Sequence, residues 1–316
     1  MNRPAIAAAK TERLGLFDLP STAVMVPART RVAAIKSSTA TVISAPITVG
    51  PLAAGTVCSP PARLVFAPPP PAQLFAGTLV GFDTETTGID TATARIVTAA
   101  LVHLDPSGEQ LPATRSWLLD PGVDIPAEAS AIHGISTEHA RTHGRPAALA
   151  IAEIIAGLRQ CWAAGHPTVI FNASYDLSLL DSEARRHGLT PLTDLPEWAE
   201  AVIIDPLVID RFVDRYRRGK RTLDAASAVY SVPTPDAHNA TGDSIAAVAV
   251  ARAIAHKYPL IRNAGAEALR SSQVEWQRNW AINFQSYLRS RGEADAVIDS
   301  DWPLRAGAAT RAPNAV

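Results

Sequence analysis

Two cysteines, Cys58 and Cys161, are all that the 316 residues contain. They lie far apart and without the spacing of a metal-ligand pair, which excludes a disulfide framework and points to a reducing, intracellular setting. Excess charge is missing too: 29 Lys and Arg stand against 30 Asp and Glu, a formal net charge of -1. Contact with a polyanion must therefore come from local clusters. No apolar run reaches the roughly 18 to 20 residues of a membrane span; "LAIAEIIAGL" is too short and carries Glu153. The first residues lack a compact apolar core ahead of a small-residue cleavage site, so no secretory signal is expected. The leader is acid-poor and holds Arg3, Lys10, Arg13, Arg29 and Arg31, which keeps an organelle transit peptide open.

What is present falls into three stretches. Residues 1–75 mix Ala, Pro, Ser, Thr and Val and end in "FAPPPPAQLFAG" without helical or strand period, which reads as a disordered tail. Within it "LGLFDLP" is an isolated apolar cluster, either a chance grouping or a short anchor for a partner's groove. Residues 76–260 alternate strand and helix signals: strands in "TLVGFD", "RIVTAALVHLD" and "TRSWLLDPG", a helix in "PAALAIAEIIAGLRQCWAAG", then the strand "PTVIFN". Helices follow at about 174–187, 206–216, 222–230 and 241–258, with the strand "AVIID" between the first two. This order predicts an α/β fold, a mixed five-stranded sheet flanked by helices. Residues 261–316 read as a helical extension and tail, in which Trp276, Trp280, Phe284 and Leu288 share a helix face expected to pack on the domain.

Asp83 and Glu85, in "FDTETTG", share a strand parity and leave the same face of a strand end. Two carboxylates there repel unless one is protonated or a hard divalent cation joins them; the competing reading is a solvated acid pair. In "FNASYDLSLL", Asn172 closes a strand, Ser174 is the expected N-cap and Asp176 falls in the first helical turn. In "AHNATGDSIAAVAVARAIA", His238 precedes a long apolar helix and Asp243 lies in its first turn. A favourable helix macrodipole alone would explain either aspartate.

Taken together, "FDTETTG", "NASYDLSLL" and "HNATGD", with "IHGIS" between the first two, resemble the motifs of the DEDD superfamily of 3′-5′ exonucleases. The His-x-Ala-x-x-Asp spacing is similar to the His-containing (DEDDh, DnaQ-like) branch, typified by the epsilon proofreading subunit of bacterial DNA polymerase III. The resemblance covers about 79–258 and implies a ribonuclease H-like fold. It implies metal-binding carboxylates at Asp83, Glu85, Asp176 and Asp243, a general base at His238, and two Mg²⁺ or Mn²⁺ per site. Thr84, Thr86 and Asn172 become expected substrate contacts. The implied reaction removes 5′-mononucleotides from DNA 3′ ends, in proofreading or repair, on single-stranded DNA or a frayed end. A DNA polymerase or sliding clamp is the implied partner, with no membrane, in a cytoplasmic, nucleoid-associated setting. The alternatives are an RNA-trimming or oligoribonucleotide exonuclease and a replication-associated binding module. Phe171 departs from relatives that often carry His before the Asn.

Asp205, followed by Pro206, reads as an N-cap; His133 reads as a turn or substrate-edge residue, and Asp181 as solvated. "DRYRRGKRTL" gathers Arg215, Arg217, Arg218, Lys220 and Arg221 around Gly219. That is either a solvated charge run or a contact to a nucleic-acid backbone, with Arg218 and Lys220 its candidates. "LGLF" is loosely similar to sliding-clamp motifs, with Arg13 where their leading glutamine stands.

Overall fold

The computed structural model describes residues 74–234 and 238–305. The tail up to residue 73, with "LGLF" and Cys58, lies outside the described residues. Leu74 and Phe75, at the end of the expected tail, pack against the core, Phe75 being buried.

Among the described residues six strands form the sheet: β1 (Leu79–Thr86), β2 (Ile96–Leu104), β3 (Arg115–Asp120), β4 (Arg145–Pro146), β5 (Thr168–Val169) and β6 (Ile203–Ile204), in the order β4-β3-β2-β1-β5-β6. β1–β2 and β2–β3 are antiparallel, whereas β3–β4, β1–β5 and β5–β6 are parallel. Five strands were expected; the sixth is β4, whose two residues are too short for a periodic signal and include a proline. The helices are α1 (Ala127–His133), α2 (Thr137–His143), α3 (Ala147–Ala163), α4 (Ala173–Arg186), α5 (Pro206–Val213), α6 (Leu223–Tyr230), α7 (Ala240–Lys257), α8 (Pro259–Arg262) and α9 (Ala266–Ser290). α1 and α2 escaped the sequence reading because they bury only Ala140 between them, leaving no apolar stripe to see.

β1 is buried along its whole length, and its two faces serve two cores. Val80 and Phe82 pack with Ile151, Ile154 and Leu158 of α3 and Leu177 and Leu180 of α4. Leu79 packs with Ala100 and Val102 of β2 and with Val248, Ala251 and Ile254 of α7. Gly81 lies on that second face, where a Cβ would stand 2.5 Å from the carbonyl oxygen of Ser244. Its missing side chain lets the start of α7 come down onto β1.

The C-terminal helix does pack on the domain, but through a shifted face. Leu269, Gln273, Gln277, Ala281 and Leu288 are its buried residues. Of the expected stripe, Leu288 is buried and Trp276 is partly buried against both cores, stacking on Phe212 of α5 at 4.0 Å, while the Arg211 guanidinium sits 3.4 Å from the Trp280 ring. Gln273 acts where a seventh strand would. Its Oε1 accepts the Asp205 N–H at 2.7 Å and its Nε2 donates to the Ile203 carbonyl at 2.9 Å, closing the exposed edge of β6. Among the described residues no helix is long and apolar enough to cross a membrane.

Candidate functional site

Strand parity and the approach of α7 decide which acids meet. Asp83 and Glu85 leave the face of β1 that carries Gly81, and Asp243 stands in the first turn of α7 beside the Ser244 that Gly81 admits. One oxygen from each of Asp83, Glu85 and Asp243 lies within 4.8 Å of the others. Asp83 and Glu85 are buried, and Asp243 is partly open. Three carboxylates held this close suit a hard divalent cation, which offsets their repulsion and leaves room for water or phosphate oxygens on the open side. The donor set therefore fits a divalent metal.

Asp176 lies outside that 4.8 Å group. It belongs to α4, in the core on the opposite side of β1, and its Oδ1 accepts the Thr84 hydroxyl at 2.6 Å. Thr84 is wholly buried, so its hydroxyl orients an acid rather than lining an open pocket edge. Thr86 behaves similarly. Its Oγ1 is 2.8 Å from the Tyr175 hydroxyl, and both hydroxyls reach the Gly88 carbonyl, at 2.9 and 2.5 Å respectively. The alternation Asp-Thr-Glu-Thr thus sends acids to one face and positioning hydroxyls to the other. Sequence reasoning missed Gly81 and Tyr175. A glycine inside an apolar strand was the available signal for the first, and Tyr175 carried none.

The start of α4 differs from expectation. Asn172, in the left-handed region at φ 68 and ψ 50, is the cap residue, and Ser174 lies inside the first turn. Asn172 makes no side-chain cap bond; Asp205 supplies the acceptor instead, through Oδ1 to the Asn172 N–H at 3.0 Å and Oδ2 to the Ala173 N–H at 2.9 Å. Asp205 also caps its own helix, accepting from Leu207 and Val208, as its place before Pro206 predicts. Burial pushes the Asp205 carboxyl up, against the pull of the Asn172 and Ala173 amides.

His238 has φ 70, and its backbone N–H donates to Asp243 Oδ1 at 3.3 Å. The loop carrying the histidine is thereby tied to one acid of the group. His133 ends α1, with its Nδ1 accepting the Ile135 N–H at 3.1 Å, which makes it a turn residue. Asp181 is not solvated as expected: it is buried, pairs with Arg185 and accepts the Leu192 N–H at 2.8 Å, because the first 3-10 turn after α4 (Leu192–Asp194) folds back over it. The basic cluster divides. Arg217 and Arg221 turn inward to the buried Asp210, at 2.5 and 2.7 Å, while Tyr230 donates to its other oxygen. Arg215, Arg218 and Lys220 remain exposed, beside Tyr216 at 81% exposure.

Comparison with known proteins bears on this arrangement. The exonuclease family model RNase_T matches residues 80–251. A DNA polymerase III subunit epsilon-like protein of Rhodobacter capsulatus is 31% identical over 172 residues, 54% of this chain and 22% of that protein. The chain thus spans about a fifth of that curated relative's length. Among solved structures, exonuclease I superposes with a TM-score of 0.50 at 20% identity, over 59% of this chain and 42% of that one. E. coli exonuclease I in complex with a dA16 oligonucleotide gives a TM-score of 0.49 at 19% identity, over the same shares.

Proposed function

This chain belongs to the exonuclease family matched over residues 80–251, and from that premise we propose that it is a metal-dependent 3′-5′ exonuclease releasing 5′-mononucleotides from DNA ends, in proofreading or repair. The supporting observation is the set of Asp83, Glu85 and Asp243 oxygens within 4.8 Å, inside the matched segment and beside the His238 loop. Asp83, Glu85 and Asp243 would hold a Mg²⁺ or Mn²⁺, and Asp176 is the fourth carboxylate proposed for a second ion. Bound there, the metal supplies charge neutralisation for the scissile phosphate and makes water more acidic.

The chain's own groups do the remaining work. His238 takes the proton of the attacking water on its imidazole. Its N–H to Asp243 keeps that imidazole's loop at the acids. Thr84 fixes the carboxylate of Asp176. Arg218 and Lys220, exposed on the loop before α6, meet the phosphates of a longer single strand. Asn172 serves the terminal nucleotide from the β5–α4 turn.

The test compares 5′-labelled single-stranded DNA, mismatched duplex and RNA, with Mg²⁺ or Mn²⁺, beside Asp83→Ala. Progressive shortening from the 3′ end, fastest on DNA and lost in Asp83→Ala, is the expected result. A faster rate on RNA transfers the assignment to RNA trimming. Wild-type turnover in Asp83→Ala would overturn the metal assignment.

A further inference from the structure

The segment after α9 returns to the body of the domain and reaches α4 at Arg305. Gln277 Nε2 donates to the Asp299 carbonyl at 3.1 Å, which turns the chain back. Trp302 is 6% exposed, and its indole N–H donates to Asp205 Oδ2 at 3.2 Å. The Arg305 N–H donates to Ser178 Oγ at 2.9 Å, and its guanidinium lies 5.5 Å from the Tyr175 ring centroid. These contacts converge on the first turns of one helix. Asp205 is the acceptor for the Asn172 and Ala173 amides that begin α4, and Tyr175 and Ser178 flank Asp176 within it.

We propose that residues 299–305 are a strap that positions Asp176: Trp302 fixes the Asp205 carboxylate, Asp205 fixes the left-handed turn at Asn172, and Arg305 clamps the next turn of α4 through Ser178 and Tyr175. The physical basis is the sharing of one buried carboxylate. Asp205 Oδ2 accepts from both Ala173 N–H and Trp302 Nε1–H, so losing the indole leaves Oδ2 with the Ala173 amide alone and loosens the acceptor on which the first amides of α4 rest. Asn172 occupies the left-handed region, which asparagine tolerates better than other side chains and which the Asp205 contacts to its N–H and that of Ala173 reinforce. A shift there moves Asp176 against Thr84, and small displacements of a positioned acid are costly to turnover. Asp205, Trp302 and Ser178 are positioning residues on this account.

The consequence for turnover rests on the nuclease reading above, whereas the consequence for α4 does not. The full chain carrying Trp302→Phe, which keeps an aromatic ring and removes the donor, is compared with Ser178→Ala, with Asp83→Ala and with wild type. Amide hydrogen exchange over residues 171–180 and nucleotide release are measured on each. Trp302→Phe and Ser178→Ala are expected to speed exchange in the first turns of α4 while leaving the β1–β2 ladder protected. They should also lower kcat about tenfold with KM within about twofold of wild type. Asp83→Ala should lose turnover and keep wild-type exchange in α4. If wild type hydrolyses no nucleic acid while Trp302→Phe loosens α4, the nuclease reading fails and the strap stands. Wild-type exchange over 171–180 in both folded strap variants overturns the strap. So does loosened α4 with unchanged kcat in an active enzyme, and so does loosening spread evenly through the sheet.

Discussion

Thr84 shows how much a single hydroxyl contributes when a strand separates its functions by parity. Asp83 and Glu85 leave one face of β1 toward Asp243, while Thr84 leaves the other and donates to Asp176 at 2.6 Å. Thr84→Val keeps the shape and removes the donor. It should lower kcat about tenfold to a hundredfold at a stability cost of about 1 kcal/mol, whereas Thr84→Ser should restore the rate. Single-turnover nucleotide release beside urea melts distinguishes the two effects; equal rates for Val and Ser would remove the positioning role. Gly81 works by absence. A Cβ placed 2.5 Å from the Ser244 carbonyl forces α7 outward, so Gly81→Ala should cost about 1–3 kcal/mol. The same shift carries Asp243 away from Asp83 and Glu85. A Gly81→Ala protein with wild-type urea midpoint and wild-type Mn²⁺ affinity by calorimetry would contradict this account.

At the scale of elements, α4 is held at its start by Asp205 from elsewhere in the chain and at its other end largely by local ion pairs. Its outer end carries Glu183, a buried carboxylate contacted by Arg186, with Arg95 at 4.0 Å and His187 at 3.3 Å. Burial pushes the Glu183 carboxyl up from 4.5 to about 6, against the pull of Arg186 and Arg95. An acid whose folded pKa is raised binds its proton more tightly in the folded state. Its contribution is therefore greatest below pH 4.5 and is lost as pH rises through about 6. The loss amounts to about 2 kcal/mol. Glu183→Gln cannot ionise, so melts between those two pH values should show a smaller decline for the variant than for wild type; parallel profiles would refute the raised carboxyl. The helix itself was legible, since "SYDLSLLDSEARR" has both period and end signals. Its start was not. The cap of α4 is supplied by Asp205, 33 residues later, and no local pattern can name a donor–acceptor pair that only folding brings together.

Across the whole molecule, the acids of the site were legible by their motifs rather than by position alone, and the fold brings Asp83, Glu85 and Asp243 together while Asp176 stands behind Thr84. The sheet could be read because its longer strands are apolar runs of suitable length. What stayed hidden was direction: Asp181 turns inward, α9 buries glutamines beside its expected apolar stripe, and of five basic residues two turn inward to Asp210 while three stay exposed. That division matters for a chain with a net charge of only -1, because overall charge gives no pull toward a polyanion and each exposed cation counts separately. Arg221 donates to the backbone of Asp210, Asp214 and Arg217 as well as to the Asp210 carboxylate. Arg221→Ala should therefore cost about 2–3 kcal/mol and leave the salt dependence of the folded enzyme unchanged. Arg218 and Lys220 are exposed. If both meet phosphates, reversing them to Glu should raise KM for long single strands. It should also make the slope of log affinity against log salt shallower by about 1.4, from about 0.7 per phosphate contact on a single strand. Binding titrations from low to moderate salt, on strands long enough to reach the loop before α6, measure that slope. An unchanged slope in the double reversal would return Arg218 and Lys220 to the solvated surface and confine substrate contact to the neighbourhood of the carboxylates.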